Sequence, residues 1–147
     1  MAGVGGMLGE AFYHEFKNDY KLKCSDINPC EGWLHKIDFR DSNSYSLDVK
    51  SFDPDWLFHI GAHTDLEYCE LNQEDAYNTN TESVKTAVEI SNSLSIPLLY
   101  ISTAGIFSGN KEFFDESDKP HPLGHYGKSK YKGEQYVINN SQNYLIC

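Results

Sequence analysis

Gly3-Val4-Gly5-Gly6-Met7-Leu8-Gly9 is the stretch that decides the fold of this chain. Glycines stand at intervals of three, at the head of an amphipathic stretch over residues 8–18 that sets Phe12 and Phe16 on one face. In such a loop Gly3 permits a tight turn, Gly6 a close backbone approach to a pyrophosphate, and Gly9 close packing of the helix. The helix N-terminus adds free N–H groups and the positive end of its dipole. Asp26 lies 20 residues beyond Gly6 at the end of the next strand pattern. A carboxylate there accepts hydrogen bonds from a ribose diol and repels a 2′-phosphate. The pattern predicts a dinucleotide site with NAD(H) favoured over NADP(H); the plainer alternative is a loose start with Asp26 capping a turn.

Downstream, strand and helix patterns alternate. Strands are expected over residues 21–26, 35–38, 56–60 and 98–102, and a last one beginning at 144–147. Helices are expected over 42–52, 74–94 and 126–139, with a long loop, 104–125, ahead of the last. Alternation of this kind implies a parallel sheet with helices on both faces, a Rossmann-type doubly wound α/β fold. Ligands bind such sheets beyond the carboxyl ends of the strands, which is where each segment singled out here falls. A dinucleotide loop should also follow a strand, yet only Met1 and Ala2 precede this one. The expectation is a single dinucleotide-binding domain over 1–147, incomplete at both ends and lacking most of its central first strand, with unpaired backbone beside the gap.

Composition narrows the function. The chain has 147 residues, a formal charge of −10 and Arg40 as its only arginine. Such a surface repels nucleic acid and anionic membranes, so an anionic ligand must be held by backbone N–H groups and a few lysines. No apolar run reaches the roughly 18–20 residues of a membrane span. Cys24, Cys30, Cys69 and Cys147 form no zinc-type spacing and read as free thiols in a reducing, cytoplasmic setting, three of them in or beside apolar stretches. His59 and His63 fall on a strand end and the loop after it, where their spacing does not converge on a metal; no metal is expected.

Tyr126-Gly127-Lys128-Ser129-Lys130 places a phenol and an ammonium one helical turn apart on the same face. A nearby cation favours the phenolate, so the pair can act as a general acid/base. Tyr13 and Lys17 share the spacing, and only context separates the two pairs.

With Ser102-Thr103 upstream and the glycine loop at the start, these residues resemble the extended short-chain dehydrogenase/reductase superfamily, most closely its dTDP-4-dehydrorhamnose reductases and their sugar-nucleotide-binding relatives. The resemblance runs through residues 55–64, Asn80, residues 101–109, Glu116, Pro122 and residues 126–134. It implies Tyr126 as proton donor to a sugar carbonyl, Lys130 as the residue that tunes it and bonds the nicotinamide ribose, and Thr103 as the group orienting the carbonyl oxygen. It places Gly3, Gly6, Met7 and Leu8 at the pyrophosphate, Asp26 with Ile27 at the adenosine ribose, and Asp38 and Phe39 beside the adenine. Gly61, Ala62 and His63 would line the cofactor channel, with Thr64 beside the substrate. His63 could instead serve packing, and Asn80 could be an ordinary satisfied helix amide.

The implied function is NAD(P)-dependent reduction of a nucleotide-linked 4-keto-6-deoxy sugar. Its partner would be the nucleotide sugar, with neither nucleic acid nor membrane, and a homodimer is one assembly open to the full-length protein. The sugar-gripping portion of family members lies mostly C-terminal to the region resembled here. Ala104 stands where the reductases usually carry an aspartate, and Ala104-Gly105 lack the acidic groups that related dehydratases use for elimination. A nucleotide-sugar epimerase and a non-catalytic cofactor-binding regulatory subunit remain alternatives.

Overall fold

Ala2 is the centre of the sheet. In the computed structural model, which describes residues 1–147, this residue bridges in parallel to Ser25 on one side and to His59 on the other. Ala2 N–H donates to Phe58 O at 2.8 Å, and Ala2 O accepts from Ile60 N–H at 3.0 Å. Around it lie β1 (Cys24–Asp26), β2 (Leu34–Lys36), β3 (Leu57–His59), β4 (Leu98–Tyr100) and β5 (Tyr144–Ile146). All pairings are parallel, and the order is β2-β1-Ala2-β3-β4-β5. That is the doubly wound order, with its central strand reduced to a stub.

The helices are α1 (Met7–Phe16), α2 (Ser42–Phe52), α3 (Leu66–Leu71), α4 (Gln73–Tyr77), α5 (Ser83–Leu94) and α6 (His125–Asn140). Tyr45 and Val49 of α2, Val84, Ala87 and Val88 of α5 and Val137 of α6 pack with Leu57, Leu98 and Tyr100 in the larger core. On the opposite face Phe12 and Tyr13 of α1 cover Val4, Cys24, Leu34 and Ile60. Side-chain alternation along the strands supplies both faces: in β3 and β4, Leu57 and Leu98 enter the larger core, while Phe58 packs with the smaller one.

Three features depart from the sequence expectation. The strands are shorter, three residues each. The helix expected over 74–94 is interrupted by a π-helical turn, Asn78–Glu82. Thr79, Asn80 and Thr81 in this wider coil are all buried. α3 was not anticipated at all, although Asp65 marks its start by accepting from Tyr68 N–H at 2.9 Å. Of the four cysteines, Cys24 and Cys69 are buried and Cys30 and Cys147 are exposed. No helix is long and apolar enough to cross a membrane.

Inside the larger core His59 is 1% exposed and bonded at both ring nitrogens. The Ser83 hydroxyl donates to Thr79 O at 2.6 Å, so it can only accept from His59 Nε2–H, at 3.1 Å. Nδ1 then accepts from the Tyr45 hydroxyl at 3.1 Å. Burial pushes the His59 pKa down to about 3, and the ring is a neutral strut.

Candidate active site

The glycine loop turns over the carboxyl end of the central stub. Gly3 has φ +72°, a left-handed conformation, and lies so close to the backbone of Gly61 that a side chain would collide. Gly6 borders open space, and α1 starts directly after it without a side-chain cap, which leaves its first N–H groups available. Met7 and Leu8 are exposed at that end. Asp26 stands beside this cradle: it accepts from Gly5 N–H at 2.8 Å and from Asn28 N–H at 3.0 Å. It therefore caps a turn and borders the loop at once, with Ile27 half-buried next to it.

Beyond β2, Phe39 is 7% exposed, and its ring meets His59 edge-on at 5.1 Å. Arg40 grips Asp38 through Nη2 at 2.8 Å and Nε at 2.9 Å, and reaches Asp75 through Nη1 at 3.3 Å. Asp75 also takes His63 Nε2 at 2.9 Å and the Tyr68 hydroxyl at 2.8 Å. Hydrogen bonding from Arg40 holds Asp38 below the usual carboxylate range. Burial works against the charge on Asp75, yet Tyr68, His63 and Arg40 together hold it low as well.

The loop after β3 carries Gly61, Ala62, His63 and the exposed Thr64. Asn80 clips this loop from the π-helical turn: its Oδ1 accepts from His63 N–H at 2.8 Å, and its Nδ2 donates to His63 O at 3.0 Å. Nδ2 also donates to Ser129 Oγ at 3.1 Å, whose own proton goes to Tyr126 O at 2.8 Å. One amide thus ties the loop after β3 to the first turn of α6.

Thr103 ends the strand segment and caps a short 3-10 turn, Ala104–Ile106, by accepting from Gly105 N–H at 3.1 Å. A methyl group placed on Gly105 would lie 3.4 Å from Thr103 Oγ1 and 3.6 Å from Tyr126 Cε1. Thr103 and Tyr126 therefore flank the same point. One helical turn further, Lys130 is 2% exposed, with Nζ donating to Ile101 O at 2.6 Å and lying 4.3 Å from the centroid of the Tyr100 ring. The Tyr100 hydroxyl returns a bond to Lys130 O at 3.0 Å. Burial pushes the Lys130 pKa down to about 7, opposed by the charge of Glu134. Glu134 in turn accepts from the Ser102 hydroxyl. The three residues proposed for proton chemistry thus converge at the carboxyl end of β4, and Ala104 brings no carboxylate to them.

Sequence reasoning assigned no role to Glu134, Ser129, Tyr68 or Asp75. The first two lie one turn from Lys130 and Tyr126, so helical spacing could have flagged them. Asp75 meets Arg40 across 35 residues, and no local pattern announces that pairing.

The family model described as RmlD substrate binding domain matches residues 1–147. Methionine adenosyltransferase 2 subunit beta of Danio rerio is 33% identical over 142 residues, covering 95% of this chain and 43% of that protein. The probable low-salt glycan biosynthesis reductase Agl14 of Haloferax volcanii is 31% identical over 151 residues, 99% of this chain and 50% of that protein. Among solved structures, dTDP-4-dehydrorhamnose reductase from Bacillus anthracis in complex with NADP superposes with a TM-score of 0.85 at 26% identity, covering 99% of this chain and 50% of that one. The chain spans about half the length of the curated relatives it matches.

Proposed function

This chain belongs to the RmlD substrate-binding domain family, and from that premise we propose that it is the cofactor-holding part of a nicotinamide-dependent reductase of a nucleotide-linked 4-keto-6-deoxy sugar. The observation that carries the reading is the convergence of Thr103 and Tyr126 on one point at the end of β4, with Lys130 anchored a turn below.

The residues present fit a dinucleotide. Open space above Gly6 and the uncapped start of α1 suit a pyrophosphate, and Asp26 stands where a ribose diol would be bound. A bound nicotinamide would supply the hydride. Tyr126 would give its phenolic proton to the sugar carbonyl oxygen as negative charge develops there. The hydroxyl of Thr103 would donate to the same oxygen and fix its direction. The cation on Lys130 would stabilise the phenolate that remains. NAD(H) is favoured over NADP(H) because Asp26 is acidic and Arg40 is engaged by Asp38 and Asp75.

The test uses the full-length protein, NADH and a dTDP-4-keto-6-deoxyhexose. Tyr126→Phe is expected to lower kcat by ~10²–10⁴; unchanged turnover would remove Tyr126 from proton transfer. The 33% identity to a methionine adenosyltransferase subunit favours a second reading, a cofactor-binding subunit of another enzyme. Binding of NADH without its oxidation by any nucleotide sugar would support that reading over the first, whereas epimer formation without net NADH change would indicate an epimerase.

A further inference from the structure

Helix α6 carries Tyr126 in its first turn, and that turn has no cap of its own. Gly124 stands at the N-cap position with φ −90° and ψ 168°, and no side chain there answers the free N–H groups of the helix. The answer comes from α3. Glu70 Oε1 accepts from His125 N–H at 2.5 Å, across 55 residues of sequence. A carboxylate at this end also meets the positive end of the helix dipole.

Gly124 makes room for it. A β-carbon on Gly124 would lie 2.8 Å from Glu70 Oε1, and Glu70 is the one residue outside the adjoining chain that it would meet within 4 Å. α3 is itself tied to the loop after β3, because Cys69 Sγ donates to His63 O at 3.7 Å. A second restraint acts on the same turn of α6. A β-carbon on Gly127 would lie 2.3 Å from Gly105 O, so the backbone that follows Thr103 is seated directly on the helix. Tyr126 therefore stands between two fixed neighbours: His125, held by α3, and Gly127, pressed by the Thr103 turn.

We propose that Glu70 is a positioning residue for the reaction, whose carboxylate anchors the start of α6 and so aims the Tyr126 phenol at the point it shares with Thr103. The inference rests on the reductase reading. Glu70 acts through the backbone of His125 and transfers no proton itself. The bond lies at the surface, so its strength is that of a helix cap and not of a buried ion pair. Its loss loosens the turn and leaves the domain folded.

The test uses the full-length protein with NADH and a dTDP-4-keto-6-deoxyhexose, with Tyr126→Phe measured alongside. Glu70→Ala is expected to lower kcat by about tenfold with the KM for NADH unchanged, since the alignment of Tyr126 is lost while the glycine loop is untouched. Amide exchange at residues 125–127 should quicken by about fivefold. Glu70→Gln keeps an acceptor oxygen and should retain most of the rate. The deciding variant combines Glu70→Ala with Gly124→Ser. The space vacated by the carboxylate admits a hydroxyl, which caps Tyr126 or Gly127 N–H from within the chain. This double variant should recover both kcat and exchange protection. A carboxylate that acted directly on substrate or proton would not be replaced in this way, so restored exchange with kcat still low overturns the proposal. Unchanged exchange in Glu70→Ala overturns it too, as does unchanged kcat there while Tyr126→Phe is impaired. Undiminished turnover in Tyr126→Phe overturns the reductase reading itself; the two failures are distinct, because exchange in Glu70→Ala still quickens in that case.

Discussion

Lys130 is held where a cation is costly. Its neighbours are the face of Tyr100, the carbonyl of Ile101, the neutral His59 of the adjoining strand and the carboxylate of Glu134. Glu134 alone among them carries the opposite charge, and Ser102 holds it in place. Glu134→Gln should therefore lower the Lys130 pKa further below about 7, read from the chemical shift of its ε-carbon during a pH titration. An unmoved titration would mean that Glu134 serves only Ser102. The contrast with Tyr13 and Lys17 shows how far residue spacing can be read. In both pairs the sequence set an amine one turn beyond a phenol. Lys17 lies over the Tyr13 ring at 5.5 Å on an outer face, where Tyr13 stacks on Trp33. Only the second pair follows a strand end that delivers Thr103, and this ordering was legible. The inward ring of Phe39 and the contact of Arg40 with Asp75 were not, because both arise between distant segments.

At the scale of elements, helix α2 has the end residues expected of it, and Asp53-Pro54 after it is a strong local stop; Asp41 caps its start by accepting from Asn43 and Ser44 N–H. The π-helical turn was not legible. Its cause is tertiary: Asn80 is needed by the loop after β3, and Thr81 by the Ser129 carbonyl at 2.8 Å. Asn80→Ala should leave the His63 N–H and C=O without their partner and cost about 2 kcal/mol, measured by urea unfolding. Ser129 also loses a donor in that variant, so the first turn of α6 should exchange its amides faster. A stability within experimental error of the parent would mean that water replaces the clip. α3 shows the opposite failure, a missed helix whose capping residue was visible but whose apolar pattern is too short to stand out.

For the whole molecule, buried titratable groups set the pH range of stability. His59 has a folded value of about 3 against an ordinary 6.5, so between these values the unfolded chain binds the extra proton and stability rises with pH. Lys130 does the same from about 7 up to 10.5. Burial raises Tyr45 and Tyr100 above their usual value of 10, so above that pH the unfolded chain ionises first and stability falls again. The melting temperature is expected to peak between about pH 8 and 10, and His59→Gln to flatten the acid limb below pH 6.5. A maximum on the acid side of pH 6 would contradict this assignment. The tie between Arg40 and its two carboxylates has a further consequence for ionic strength. With the only arginine committed and a net charge of −10, the anionic dinucleotide proposed above would approach against the field of the protein and be received by neutral amides. Added salt screens that opposition more than it weakens any attraction. Titration calorimetry should accordingly show NADH affinity holding or rising between low salt and physiological salt, the reverse of sites that hold phosphate with free cations.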